Sequence, residues 1–310
     1  MTNLLDLITP TNLESEHDKF FASNTYHPTF HYIWQDQVMQ PIFTNKLKKS
    51  LWQSIKTQDN SGITKAAQQL FEVEVTGSLL KQAMTDASTK GKVSGGSPEE
   101  YCDQLRSGLD YFGLDDVQVI LTDVSGFNSR PNHKASNITV SKHIHFDYFS
   151  VEGGVHHEIV HVLRYRNGIY NHIKRGERYL PTEEGLASWC QDNANDDNGH
   201  AQHAIEYVAS SVGITGSLRD IYNCMCELGM DPELSWKRAT RHKFGFVDTS
   251  KPGDILKPAM YYANEEKIAK LSTDEKLRLF VGKIALSDLS NYPVYTGLWP
   301  GQKIVDYFNL

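Results

Sequence analysis

The chain has 310 residues, of which 39% are hydrophobic and 22% charged, and its formal net charge is −7 at pH 7. A chain of this length can bury a large apolar core, and its composition excludes a disordered tail. It contains no long Lys/Arg run and no stretch of roughly 20 apolar residues, so general nucleic-acid binding and a membrane-spanning helix are excluded as well.

Helical patterns dominate the first third of the chain. The N-terminus lacks the basic leader and the apolar run of a signal peptide, so we expect a cytoplasmic protein. Residues 12–23 and 44–85 are predicted to be helical, with a polar break near residues 57–61. A connection rich in Gly, Ser and Lys follows at residues 88–97. This connection predicts a boundary between an N-terminal helical portion, residues 1–95, and a compact core, residues 96–310.

A small sheet is predicted next. Residues 97–100 read Ser-Pro-Glu-Glu, which is a capping box with Pro at the first helical position, and the helix that it opens should end near Phe112. Residues 116–124 are β-branched and mostly apolar, and residues 138–146 alternate between polar and apolar, so both segments are predicted to be strands. The stretch between them, residues 125–136, is rich in turn-forming residues and is predicted to be a loop.

The remainder of the chain returns to helical patterns. The fold class predicted for the whole chain is therefore α+β, mostly α, with a small sheet. The tail from Asn291 is rich in Pro, Gly and aromatic residues and is predicted to pack as an irregular strap. The predicted helical segments are residues 153–167, 181–194, 200–212, 216–228, 231–243, 254–270 and 273–286.

The most informative stretch is an H-E-x-x-H motif at residues 157–161, inside an apolar helical pattern. On an α-helix, His157 and His161 lie one turn apart on the same face, so both imidazoles can reach one metal ion. Glu158 projects beside them, where a general base that activates a water molecule would be needed. A catalytic zinc ion takes three protein ligands and one exchangeable water. The motif therefore predicts a Zn²⁺ site that needs one more protein ligand.

A second acidic cluster can supply this ligand. The sequence PTEEGLASW at residues 181–189 reads as the start of another helix, with Pro near its first position and acids in its first turn. Either Glu183 or Glu184 could be the ligand, because the two side chains differ in direction by about 100° on a helix. Ser188, one turn beyond Glu184, is placed to support a ligating imidazole through a hydrogen bond.

These residues resemble the QEGLA-motif family of metallopeptidases, which includes the microtubule-associated tyrosine carboxypeptidases. The resemblance is carried by HEIVHVLR at 157–164, Asn167-Gly168, and EEGLA at 183–187. In that family the Glu directly before Gly-Leu-Ala is the third metal ligand, which selects Glu184, while Glu183 replaces the family's usual Gln. Weaker similarity extends over most of the chain. The chain departs from the family at two points: a Val stands within the H-E-x-x-H neighbourhood, and the spacing between the two motifs is short. These departures leave the metal ligands in place and affect only the inference about the substrate.

The resemblance implies a zincin-like metallopeptidase core, with the sheet beside the H-E-x-x-H helix, and a carboxypeptidase that releases a C-terminal tyrosine or other aromatic residue from a peptide or protein. The resemblance makes the tail of tubulin a conjectural substrate. Hydrolysis also needs a donor for the oxyanion, and the family position favours Tyr261 over the other candidates, which are His143, His145 and Arg241. A substrate carboxylate needs an Arg or Lys partner. The candidates for that role are Lys134, Arg164 and Arg241, with Arg130 and Lys142 as further basic residues.

Two alternative functions use the same residues. A zinc amidohydrolase acting on a small non-peptide amide would need the same metal and base, and the width of the pocket would distinguish it from a peptidase. A non-catalytic, zinc-containing regulatory protein is the other alternative. The presence of Glu158 argues against it, because a structural zinc site is closed by a fourth protein ligand and has no use for a positioned base.

Overall fold

The computed structural model describes residues 4–37, 41, 43–89, 95–124, 127–146, 149–194 and 199–310. The chain divides into two compact units, each built from two separate stretches of sequence. Unit 1 contains Met1–Ser88 and His203–Ala263, and unit 2 contains Thr89–Gln202 and Asn264–Leu310. The two units are defined by how compactly their residues pack. The boundary between an N-terminal helical portion, residues 1–95, and a core, residues 96–310, stays a prediction.

The described residues are mostly helical. None of their helices has the length and apolar composition that spanning a lipid bilayer requires. In chain order the helices are α1 (Leu4–Ile8), α2 (Leu13–Ala22), α3 (Ile33–Asp36), α4 (Lys46–Thr57), α5 (Asn60–Phe71), α6 (Gly77–Asp86), α7 (Pro98–Tyr111), α8 (Val151–Tyr170), α9 (Tyr179–Asp192), α10 (Gly199–Gly213), α11 (Leu218–Glu227), α12 (Pro232–His242), α13 (Lys257–Ala269), α14 (Thr273–Arg278) and α15 (Gly301–Phe308).

Unit 1 is built from helices. The segment predicted as helical at residues 44–85 forms three of them, α4, α5 and α6. The first interruption lies at the predicted break near residues 57–61, and a new cap begins the helix after each interruption. Asp59 accepts a hydrogen bond from the backbone N–H of Gly62 at 3.0 Å, and Thr76 caps α6 in the same way. A side chain that satisfies the free N–H groups of a first turn starts a new helix. The predicted helices and the predicted break near residues 57–61 are therefore confirmed, whereas the break between α5 and α6 was not predicted.

Unit 2 contains a three-stranded mixed sheet formed by β1 (Gln118–Thr122), β2 (Ser129–Asn132) and β3 (Asn137–Ser141). The strand order is β1-β3-β2, with β1 parallel and β2 antiparallel to β3. Strand β2 lies in the segment predicted as a loop. It reads Ser-Arg-Pro-Asn and has no apolar alternation, and its Pro is tolerated because β2 is an edge strand.

Strand β3 is shorter than the strand predicted at residues 138–146. It ends at Ser141, whose hydroxyl donates to the Val124 carbonyl at 2.8 Å and accepts from the His143 N–H at 3.1 Å, which turns the chain. The side chains of His143 and His145 are therefore exposed beyond the strand, and the prediction that they lie on it is wrong.

The core of unit 2 is formed by residues of α7, α8, α9, α15 and the sheet, and α7 and α8 contact the strands. The 20-residue helix α8 is capped by Ser150, which accepts from the Gly153 N–H, and most of its residues are buried. The tail is not wholly irregular as predicted, because Ile304 and Phe308, one turn apart on α15, bring that helix into the core. The predicted α+β, mostly α fold is confirmed, with a zincin-like core in which the small sheet lies beside the helix that carries H-E-x-x-H.

Gly185, in the Glu-Glu-Gly-Leu-Ala stretch, marks a close approach between two parts of this core. A Cβ atom at Gly185 would lie 2.7 Å from the backbone carbonyl carbon of Asn264, where no flexible atom can give way. We therefore expect Gly185→Ala to lower the free energy of unfolding by about 1–3 kcal/mol, measured by urea denaturation.

Gly77→Ala is the matched control, because an added Cβ there meets nothing within 4 Å. This variant should be as stable as the wild type or slightly more stable, since Ala favours helix over Gly. Equal stability of Gly185→Ala and the wild type would mean that the close approach is not a constraint.

Candidate metal centre

Helices α8 and α9 bring three potential metal ligands together in unit 2. His157 and His161 lie one turn apart on α8, with their ring centroids 5.0 Å from each other. Glu184, in the first half of α9, faces both rings. Its Oε2 is 3.6 Å from His157 Nε2 and 3.9 Å from His161 Nε2. One ligand atom from each of the three residues lies within 4.8 Å of the others.

The spacing and chemistry of these atoms fit a divalent metal ion. Zinc–ligand bonds of about 2.0–2.1 Å in a tetrahedron place neighbouring donor atoms roughly 3.3 Å apart, close to the distances seen here. Two imidazole nitrogens and one carboxylate oxygen are a donor set typical of catalytic zinc. The side chains of His157 and Glu184 are 17% and 15% exposed, so one side of the group is open to solvent. The residues therefore form a candidate metal site with room for an exchangeable water.

Glu183 supports this site from behind. Its Oε1 accepts a hydrogen bond from His161 Nδ1 at 2.8 Å, which leaves the Nε2 lone pair of His161 to face Glu184. Burial alone would raise the pKa of the Glu183 carboxyl. The hydrogen bond to His161 and the charges of Lys283 and Arg164 nevertheless hold that pKa well below its usual range. Glu183, weighed in the sequence as an alternative ligand, is placed instead to orient one.

Ser188 does not provide the support expected of it. Its hydroxyl is buried and has no hydrogen-bond partner among the described residues. The prediction that it supports a ligating imidazole is wrong, since Glu183 occupies that position on His161. A carboxylate is the stronger acceptor of the two groups, which suits the role.

Glu158 lies beside the metal group and is held on one side only. Ser129, on β2, donates its hydroxyl proton to Glu158 Oε1 at 2.5 Å, and the Tyr101 hydroxyl lies 3.2 Å from the same Ser129 oxygen. Tyr101 itself donates to the Gly154 carbonyl of α8. The other carboxylate oxygen, Oε2, is buried and has no partner within the described part of the chain. One oxygen of Glu158 is therefore fixed while the other can accept a proton.

Arg164 is fully buried and serves the packing of unit 2. Its Nε donates to the carbonyls of Leu279 and Gly282, and its Nη2 donates to the carbonyl of Ile284. Asn167, one turn further along α8, donates to the carbonyl of Phe280. These bonds fasten residues 279–284, hereafter the 279–284 segment, to α8. This geometry favours a structural role for Arg164 over the substrate-binding role proposed from the sequence.

The other predicted site residues are distributed over both units. Lys134 is exposed in the turn between β2 and β3 in unit 2. Arg241 and Tyr261 belong to unit 1. Arg241 Nη1 is 3.8 Å from the buried carboxylate of Glu206, and the Tyr261 hydroxyl lies 3.4 Å from Lys257 Nζ. The roles of Lys134, Arg241 and Tyr261 stay predictions.

The chain has distant relatives among characterised proteins. It is 27% identical to human microtubule-associated tyrosine carboxypeptidase 1 over 93% of its own length, and 26% identical to the mouse protein of the same name over 94%. The matched regions cover 61% and 62% of those proteins, so the chain spans about three fifths of their length. No model of a known protein family matches the chain.

Proposed function

We propose that the chain is a zinc-dependent metallopeptidase, and specifically a carboxypeptidase that removes the last residue of a peptide or protein. The observation that carries this proposal is the meeting of His157, His161 and Glu184 beside a carboxylate, Glu158, that keeps one oxygen free. A structural site would not need such a group. The distant similarity to tyrosine carboxypeptidases supports the same reaction class.

The surrounding residues divide the chemistry between them. A bound zinc ion would lower the pKa of a coordinated water towards about 7 and polarise the scissile carbonyl. Oε2 of Glu158 accepts a proton from the attacking water, and Glu158 then passes this proton to the leaving nitrogen. Ser129 meanwhile fixes Oε1 through its hydrogen bond. Glu183 keeps the proton of His161 on Nδ1. Tyr261 is proposed to stabilise the oxyanion, and Lys134 or Arg241 to bind the substrate's terminal carboxylate.

The substrate is proposed by analogy with the relatives, which their names describe as tyrosine carboxypeptidases associated with microtubules. We propose a peptide or protein that ends in tyrosine or another aromatic residue, with the tubulin tail as a candidate to test, and a cytoplasmic location. A nucleic-acid or membrane partner is not proposed.

The test is a set of matched peptides that differ only in their last residue. Purified protein loaded with zinc is incubated with peptides ending in Tyr, Phe, Ala and Lys, and with the Tyr peptide in C-terminally amidated form. Mass spectrometry should show loss of one residue from the Tyr and Phe peptides, and no loss from the amidated peptide, whose carboxylate is masked. Intact peptides throughout, from protein that carries stoichiometric zinc, would refute the carboxypeptidase proposal.

A further inference from the structure

A buried lysine touches the group that orients His161, and the proposed chemistry does not use it. Lys283 Nζ donates to Glu183 Oε1 at 2.5 Å, and this is the same oxygen that accepts from His161 Nδ1 at 2.8 Å. Lys283 and Glu183 are 6% and 3% exposed. Solvent therefore screens this ion pair little, and its loss would leave a buried carboxylate with fewer donors.

The backbone fixes the position of Lys283. It belongs to the 279–284 segment, which Arg164 and Asn167 fasten to α8 by hydrogen bonds to main-chain carbonyls. The neighbouring Gly282 packs so closely on α8 that an added Cβ would lie 3.0 Å from the Cα of Gly168. Helix α8 thus carries His161 and also holds the segment that presents Lys283 to Glu183.

The ammonium group of Lys283 is also held from its other side. His133 Nε2 accepts from Lys283 Nζ at 3.1 Å, and the His133 ring stacks on the ring of Tyr165 of α8, with 4.3 Å between centroids. Burial, followed by the charge of Lys283, lowers the pKa of His133 to about 3, which agrees with a neutral ring acting as acceptor. Lys283 therefore bridges two fixed acceptors and has a defined position.

A second cation competes for the same carboxylate. Arg164 Nη1 lies 3.6 Å from Glu183 Oε2 and, among the described residues, that nitrogen makes no hydrogen bond. Without Lys283, the Glu183 carboxylate would be drawn towards Arg164, and Oε1 would leave His161 Nδ1. The imidazole of His161 would then lose the bond that sets its tautomer and ring direction.

We propose that Lys283 is a positioning residue of the metal centre, which holds Glu183 Oε1 on His161 Nδ1 and so directs His161 Nε2 at the metal. This inference rests on the proposed metal centre and concerns metal binding rather than turnover. Loss of an outer hydrogen-bonded partner of a metal ligand typically costs about 10–100-fold in metal affinity, and the same loss is expected when Glu183 is drawn away from His161.

The experiment measures zinc affinity by competition with a chromophoric chelator. Lys283→Met should bind zinc about 10–100-fold more weakly than the wild type. Lys276→Met is the matched control, because Lys276 is an equally buried lysine of unit 2, 7% exposed, whose ammonium donates to the Leu271 carbonyl instead. This control should keep wild-type affinity. In the cobalt-substituted protein, Lys283→Met should shift the visible absorption bands, which a general loss of stability would not do.

A double-mutant cycle with Glu183→Gln shows whether Lys283 acts through Glu183. A Gln amide oxygen can still accept from His161 Nδ1 but carries no charge for Lys283 to hold. The double variant, Lys283→Met with Glu183→Gln, should therefore bind zinc less than about 3-fold more weakly than the Glu183→Gln variant alone. This comparison does not use the single Lys283→Met variant, so it can be made even if that variant fails to fold. Wild-type affinity in a folded Lys283→Met variant, or a full additional loss in the Glu183→Gln background, would overturn the inference. Failure of the wild-type protein to bind zinc would instead overturn the metal centre itself.

Discussion

Replacing Glu158 by Gln is expected to lower kcat/KM for peptide hydrolysis by about 10²–10⁴-fold, the usual contribution of a general base. The amide keeps the shape of the side chain and can still accept from the Ser129 hydroxyl, so the metal ligands should not move. It cannot take a proton from the attacking water at the position of Oε2. Zinc content and zinc affinity should therefore stay close to the wild-type values.

The measurement pairs steady-state hydrolysis of the preferred peptide with metal analysis of the same sample. Glu152→Gln is the matched control, since Glu152 is an exposed acid in the first turn of the same helix. This control should hydrolyse peptide at the wild-type rate. Undiminished turnover in the Glu158→Gln variant would show that Glu158 is not the general base.

Replacing His161 by Ala is expected to abolish stoichiometric zinc binding. The change removes one of three ligand atoms, and it also leaves the buried pair of Glu183 and Lys283 without the imidazole between them and the metal. The loss of affinity should exceed the roughly 10–100-fold cost of losing only an outer partner. Activity should be lost together with the metal.

Metal content is measured by atomic emission after gel filtration of the zinc-loaded protein, with circular dichroism to confirm that the variant is folded. His145→Ala serves as the control, because His145 is an exposed histidine of the same unit. It should retain one zinc ion per chain. A His161→Ala variant that keeps its zinc would show that the ion binds elsewhere.

The candidate site is predictable from sequence to the extent that helix periodicity determines it. The spacing of His157 and His161 places both rings on one face of a single helix, and the structure brings Glu184 to them. Ser129 and Lys283 could not be found in this way. Ser129 lies 29 residues from Glu158 and Lys283 lies 100 residues from Glu183, so both contacts depend on tertiary packing. Neither residue stands in a local pattern that signals its role.

The fold also contains elements that local patterns predict and elements that depend on tertiary packing. Strand β2 was missed because its four residues, Ser129–Asn132, show no apolar alternation, and only the pairing with β3 makes them a strand. Helix α15 was missed because the sequence before it is rich in Pro, Gly and aromatic residues, although Ile304 and Phe308 are spaced as on an amphipathic helix. Longer periodic segments such as α8 carry enough positions for the pattern itself to decide.

The attachment of the 279–284 segment to α8 affects how natural variants of this chain are to be interpreted. A substitution in that segment, or at Asn167 or Arg164, changes no ligand atom, yet it disturbs the hydrogen bonds that fix Lys283, the proposed positioning residue of His161. Such a variant would be purified as a folded but metal-poor protein, and added zinc would restore part of its activity. Substitutions in the 279–284 segment, more than 100 residues from the histidine motif, would thus be mistaken for defects of catalysis when they are defects of metal retention.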